Sequence, residues 1–117
     1  MKRRFIESTE FTKRFERLRK AGEVTDDDLA ELQKSILENP DAGDMVTGTG
    51  GVRKVRIGLP ERGRGKSYGV RVLVLDLAKR QHTHLLTVFG KNEQANLSAE
   101  EKKLVRHFVE AIKKESM

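Results

Sequence analysis

Hydrophobic positions recur along this chain with two different periods. Phe11, Phe15 and Leu18 fall at i, i+4 and i+7, the stripe of an amphipathic helix, and Gly22 marks its end. Leu29, Leu32 and Ile36 follow the same logic behind Thr25. The Thr25 hydroxyl suits an N-cap, and Asp26, Asp27 and Asp28 sit at the positive end of the helix dipole. Asn39-Pro40 stops this second helix. Upstream, Arg4-Phe5-Ile6-Glu7 is a short run beside a helix start and predicts a first strand.

Beyond Gly48-Thr49-Gly50-Gly51 the period changes to two. Val55, Ile57 and Leu59 alternate with Lys54, Arg56 and Gly58, which predicts a half-buried strand. Pro60 to Gly69 is a Gly- and Arg-rich loop. Val70 to Leu77 is apolar on both faces and reads as a central strand. Leu85 to Phe89 gives another strand after a turn around Lys79-Arg80-Gln81. Ser98-Ala99-Glu100-Glu101 forms a capping box, and the helix behind it is expected to bury Leu104, Val105, Phe108, Val109 and Ile112. The order β-α-α-β-β-β-α predicts an α+β fold: one domain over residues 1–117, a sheet of consecutive antiparallel strands, and helices packed on one face.

With 117 residues, 36% of them hydrophobic, the chain supports one modest core. It has no cysteine, which excludes disulfides, thiolate zinc sites, iron–sulfur clusters and cysteine nucleophiles. The longest aliphatic run, Val72-Leu73-Val74-Leu75, falls far short of the roughly 20 residues a membrane helix needs. The basic start, Met1-Lys2-Arg3-Arg4, leads into Glu7, Ser8, Thr9 and Glu10 in place of an apolar signal core. A soluble cytoplasmic protein without membrane association is expected.

Charge sharpens the picture, because the net +6 is unevenly spread. Residues 1–20 hold eight basic and three acidic residues, residues 21–45 one basic and eight acidic, and residues 46–71 seven basic and one acidic. Such blocks point to a polyanionic partner, nucleic acid or an acidic protein. Mutual neutralisation of the acidic and basic blocks within the fold is the alternative.

Several chemistries fail on spacing. Gly65-Lys66-Ser67 suggests a phosphate-binding loop, but the first glycine of that motif would fall at Pro60, and a strand follows where a helix is required. His82 and His84 share strand parity without a third ligand at metal spacing, and His107 stands apart. No G-x-S-x-G nucleophile motif is present. The sequence implies no cofactor and no metal site.

The basic cluster remains: Arg53, Lys54, Arg56, Arg62, Arg64, Lys66 and Arg71. Strand alternation puts Lys54 and Arg56 side by side, opposite Val55 and Ile57. In a hairpin Arg71 lies across from them. Arg62, Arg64 and Lys66 ride a glycine-spaced loop that can approach a phosphate backbone, and guanidinium forks match phosphate oxygens. Tyr68 and Phe89 are candidates for stacking on bases, with core packing the alternative for each. RNA carries its own nucleophile: a 2′-hydroxyl attacks the adjacent phosphate once its proton is removed and the added charge is neutralised. Guanidiniums stabilise that transition state, and a lysine among cations has a depressed pKa suited to a general base. A second macromolecule would be needed to hold the RNA in line.

Gly48 to Arg56, the basic loop ending at Arg71, and Leu86-Thr87-Val88-Phe89-Gly90-Lys91-Asn92-Glu93 before a capped helix together resemble the RelE/ParE toxin superfamily, in particular its HigB-like branch of type II toxin–antitoxin systems. The resemblance covers nearly the whole chain. It implies a ribosome-dependent mRNA endoribonuclease that inhibits translation by metal-free 2′-OH attack in the ribosomal A site. By position, Lys54 and Arg56 match the family's basic strand pair, Arg71 its arginine at the start of the next strand, and Lys91 a basic position after the last strand. The resemblance implies Lys54 as general base, Arg56 as phosphate ligand, Arg71 as transition-state stabiliser, and Lys91 as acid or phosphate ligand. Asn92 replaces a further arginine and Ser98 falls near a C-terminal tyrosine; Gly-Lys-Asn-Glu is common in HigB-like sequences. A cognate antitoxin, often with a helix-turn-helix DNA-binding domain, is the implied partner, and the acidic stretch Asp26 to Asp44 could face it. The rival readings are a ParE-like toxin that poisons DNA gyrase and a non-catalytic RNA- or ribosome-binding module.

Overall fold

A computed structural model describes residues 3–57 and 69–115. The elements are β1 (Arg4–Glu7), α1 (Thr9–Lys20), α2 (Asp26–Glu38), β2 (Asp44–Met45), β3 (Arg53–Arg56), β4 (Arg71–Leu77), a 3-10 turn (Ala78–Arg80), β5 (His82–Phe89) and α3 (Ala99–Glu115). The five strands form one sheet in the order β1-β5-β4-β3-β2. Pairing is antiparallel from β2 to β5, whereas β1 runs parallel to β5. The α+β class and the β-α-α-β-β-β-α order are as the periodicity predicts. The two-residue β2 is an addition: both its residues are exposed, so no apolar alternation announces it.

The sheet is covered on both faces, which corrects the expectation of helices on one. Val72 and Val74 of β4 pack with Val55, Ile57, Leu85 and Val88 against Phe11, Phe15 and Leu18 of α1 and Leu32 and Ile36 of α2. Leu73 and Leu75, which point the other way, pack with Val52 and Leu86 against Val109 and Ile112 of α3. A strand that is apolar on both sides has two faces to remove from water, and one layer of helices cannot do both.

α3 buries less than its sequence suggests. Val109 and Ile112 are in the core, but Leu104 is 71% exposed and Phe108 47%. The expected burial of those two residues is therefore corrected. Both side chains line an open groove beside the sheet.

Polar contacts fix the elements at their ends. Ser8 caps α1, its Oγ accepting from the Phe11 amide at 3.0 Å while donating to the Leu86 carbonyl at 2.6 Å. Thr25 and Asp28 make a reciprocal capping box on α2, and Ser98 and Glu101 exchange the same pair of bonds at the start of α3. Amide and hydroxyl donation from Ser98 holds the Glu101 carboxyl below the usual carboxylate range. Asp76 on β4 accepts from Arg3 and from Thr83 Oγ1, joining β4, β5 and the chain entering β1. Thr49 Oγ1 donates to the Val46 carbonyl and accepts from the Val52 amide. Gly48, Gly50 and Gly51 supply the positive φ angles of that reversal into β3.

β4 and β5 slip register by one residue between Leu73 and Val74: Leu73 pairs with Thr87 and Val74 with Leu85. Leu86 is the extra residue, and this bulge puts both Leu86 and Thr87 on the α3 side of the sheet.

The two-faced core makes a measurable prediction. Urea unfolding of Phe11→Ala is expected to show a loss of about 3–5 kcal/mol, and of Leu73→Ala, on the opposite face, about 2–5 kcal/mol. A Leu73→Ala cost below about 0.5 kcal/mol, the range of a surface change, would contradict burial under α3.

Candidate nucleic-acid interface

β3 divides its side chains by parity. Val55 and the following Ile57 enter the core beneath α1 and α2. Lys54 and Arg56 therefore stand on the α3 side of the sheet. The β3–β4 register sets Arg56 directly across from Arg71 and Lys54 across from Leu73. Lys54 is also paired across β2 with Asp44. Three cations and one carboxylate thus share a sheet surface at the N-terminal end of β4.

Arg71 is anchored to the backbone. Its Nη2 donates to the carbonyls of Gly90 and Glu93, each at 2.6 Å, and its Nε is buried without a partner. The receiving turn is itself tied: the Gly90 amide donates to Glu93 Oε1 at 2.9 Å, and the Glu93 amide to the Gly90 carbonyl at 2.9 Å. Arg14 and Arg17 of α1 approach the Glu93 carboxylate at 3.7 and 3.9 Å. Arg71 makes no ion pair among the described residues, so carbonyl dipoles hold the guanidinium in place without cancelling its charge. Lys54 is held more loosely, its Nζ donating to Asn96 Oδ1 at 3.4 Å.

These groups line a cleft of about 340 Å³ formed by Gly43, Asp44, Lys54, Arg56, Arg71 and the segment Gln94, Ala95 and Asn96. Gly43 is required by position: at φ +87° a Cβ would collide with the Lys54 carbonyl, so a larger residue would push β2 away from the cleft wall. An ammonium, two guanidiniums and two amide side chains around one opening suit a phosphodiester, with the amides offering both donors and acceptors to ribose or base edges. Asp44 contributes the carboxylate of the set.

The remaining predicted positions are distributed differently. Arg53 points to the α2 side, beside Ile36, Pro40 and Asp41, and donates to the Gly43 carbonyl at 3.3 Å, so the sheet separates it from Lys54 and Arg56. Lys91 is exposed on the turn after β5 and packs beside Gly69 without lining the cleft. Phe89 lies across from Arg71 and packs against the α3-side core. The Arg14 guanidinium stands 5.6 Å from its ring centroid, so the ring already carries a cation–π partner. Arg62, Arg64, Lys66 and Tyr68 lie outside the described residues.

Asp44, Gln94 and Asn96 are the lining residues that sequence reasoning passed over. Asp44 sits in the acidic block and on an unannounced strand. Gln94 and Asn96 belong to a non-periodic stretch between the Gly90 turn and the Ser98 cap, where alternation of exposed Gln94 and Asn96 around buried Ala95 is the available signal.

A family model described as the RelE toxin of the RelE/RelB toxin–antitoxin system matches residues 10–117. The chain belongs to the RelE toxin family. The match spans every residue of the cleft, from Gly43 to Asn96, and it identifies this RelE-family chain as the toxin component of such a system, whose partner is a cognate RelB antitoxin.

The anchoring of Arg71 in this toxin predicts a stability effect distinct from any activity. Arg71→Ala leaves two carbonyls without a charged donor and is expected to cost about 1–3 kcal/mol. Lys91→Ala, on an exposed turn, is expected to stay within about 0.5 kcal/mol. Equal, negligible effects in urea unfolding would contradict the anchoring.

Proposed function

We propose that this RelE-family toxin is a ribosome-dependent mRNA endoribonuclease of the HigB-like branch, acting in the cytoplasm to stop translation. The observation that carries the reading is the convergence of Lys54, Arg56 and Arg71 on one sheet face, around a cleft edged by Asn96 and Gln94.

In this mechanism Lys54 takes the proton of the RNA 2′-hydroxyl as general base, and the freed oxygen attacks the adjacent phosphorus. Arg56 holds a non-bridging oxygen of the bound phosphodiester. Arg71 faces the additional charge of the pentavalent transition state. Its two carbonyl bonds fix the guanidinium before substrate arrives, so little reorganisation is needed as charge develops. The P–O5′ bond breaks, the 5′-oxygen gains a proton, and the products are a 2′,3′-cyclic phosphate and a 5′-hydroxyl. Lys91, on the turn whose Gly90 and Glu93 carbonyls hold Arg71, supplies that proton or ligates phosphate. The reaction requires no metal or cofactor.

Among the described residues, no wall of the cleft forces RNA into an in-line geometry. The ribosomal A site supplies it by holding the message, which moves the entropic cost of alignment to the ribosome. The partner that restrains the toxin is an antitoxin carrying a helix-turn-helix DNA-binding domain.

An alanine series on programmed ribosomes tests the assignment. Lys54→Ala and Arg71→Ala are expected to lower cleavage by about 10²–10³-fold with ribosome binding retained. Asp44→Asn is expected to leave cleavage within about threefold, since Lys54 is the base. A graded loss of affinity with each charge removed, together with a steep salt dependence and no cleavage, would instead indicate a non-catalytic RNA-binding module. Absence of cleavage with accumulation of gyrase–DNA adducts would indicate the ParE-like activity.

A further inference from the structure

The exposed part of α3 borders a groove of about 630 Å³. Leu104, Phe108, Ala111 and Glu115 line one wall, at i, i+4, i+7 and i+11, and Ile6 through Glu10 of β1 and the start of α1 line the other. Leu73, His84, Leu86 and Thr87 form the floor, where the β5 bulge turns two successive side chains toward α3. The wall of α3 spans about 16 Å at 1.5 Å per residue, the length of a three-turn helix lying alongside it. None of the residues lining this groove lines the Lys54/Arg56/Arg71 cleft.

Two features mark the groove as more than a packing defect. An apolar stripe that combines Leu104 at 71% exposure with Phe108 at 47% is costly to leave in water. On the floor, Thr87 is 8% exposed, yet its Oγ1 has no hydrogen-bond partner, and neither has His84 Nε2. Burial and the neighbouring His82 lower the His84 pKa, so the floor presents a neutral ring.

Charge selects the occupant. Besides the neutral His84, the groove-lining ionisable residues are Glu7, Glu10 and Glu115, with no lysine or arginine among the described lining residues, although the protein as a whole carries +6. Glu10 has a distant partner, Arg14 at 3.9 Å. Glu7 accepts from Thr12 Oγ1 and makes no ion pair among the described residues. Two copies of this chain meeting through the groove by a two-fold axis would bring acidic rims together.

We propose that this groove is the docking site for an amphipathic helix of a partner protein, seating apolar side chains on Leu104, Phe108 and Leu86 while lysines or arginines flanking its apolar stripe meet Glu7, Glu10 and Glu115. The docked helix leaves the basic cleft uncovered, so partner binding and the cleft's chemistry are separable by mutation. The inference does not depend on what the cleft does.

The test uses the full chain and two helical peptides of about 14 residues, long enough to hold a helix when stapled. Both carry leucine at i, i+4, i+7 and i+11; one has lysine at the flanking positions and its twin glutamate. In an NMR titration the lysine peptide is expected to bind at least about tenfold more tightly than its twin. Shifts should centre on Ile6 to Glu10, His84 to Thr87 and Leu104 to Glu115. Leu104→Asp is expected to weaken binding by about tenfold or more without changing the fold, since the side chain is largely in water. A Glu7→Gln, Glu10→Gln, Glu115→Gln variant should bring the two peptides toward equal affinity. Equal affinity of the peptides for the wild type would overturn the proposal. So would shifts centred on the acidic α2 or on the Lys54/Arg71 cleft, or a wild-type dimer in sedimentation that Leu104→Asp dissociates.

Discussion

Burial of β4 on both faces is the constraint from which the rest of this structure follows. Four successive residues, Val72 to Leu75, are each 3% exposed or less. A strand with that pattern must sit inside a sheet and be covered twice. α1 and α2 supply one cover and α3 the other, and the strands that flank β4 can then be short and partly polar. Loss of either layer would leave a row of aliphatic side chains in water, at about 25 cal/mol per Å² of apolar surface.

The basic cleft lies at the Arg71 end of this strand. Arg71 is the first residue of β4, set between the buried Val70 and Val72 with its side chain on the α3 side, and the antiparallel register brings Arg56 and Lys54 beside it. Such a concentration of positive charge would be self-repelling if each side chain were free. The fold manages it by giving Arg71 backbone carbonyls to bond, which fixes the group and preserves its charge. Glu93 offers its own carbonyl to Arg71 while its carboxylate serves the Gly90 amide, Arg14 and Arg17. Carbonyl anchoring of this kind keeps an arginine ready for an anion, where a carboxylate partner would compete with it.

Much of this was legible in the sequence, and the failures have physical causes. The 3.6-residue spacing of Phe11, Phe15 and Leu18 and the alternation of Val55 and Ile57 correctly named the core of the α1/α2 side, because periodicity reports directly on which side is dry. The position of α3 was also implicit. A segment read as apolar on both faces already required a second layer, and assigning all helices to one face overlooked that consequence. β2 had no signal, since two exposed residues cannot show alternation. Leu104 and Phe108 misled because periodicity shows which residues share a helix face, not how much of that face the sheet covers. Within the cleft, Lys54, Arg56 and Arg71 were traceable from strand parity and hairpin logic. Arg53 followed from parity too, as an odd neighbour of Lys54, and falls on the far face. Asp44, Gln94 and Asn96 come from loops and a minimal strand, whose approach to β3 depends on the Gly43 contact and on tertiary packing that no local pattern encodes.

The central claim, that the cleft promotes attack by the RNA's own 2′-hydroxyl, is tested most directly by one substitution in the substrate. Two messages are compared on programmed ribosomes with the wild-type toxin, one all-ribose and one with a single 2′-deoxynucleotide on the 5′ side of the cleaved bond. The all-ribose message should yield an upstream fragment ending in a 2′,3′-cyclic phosphate and a downstream fragment with a 5′-hydroxyl, and the deoxy message should remain intact at that bond. Cleavage of the deoxy message at the same bond and at a comparable rate would contradict the mechanism, because the nucleophile would then have to come from elsewhere.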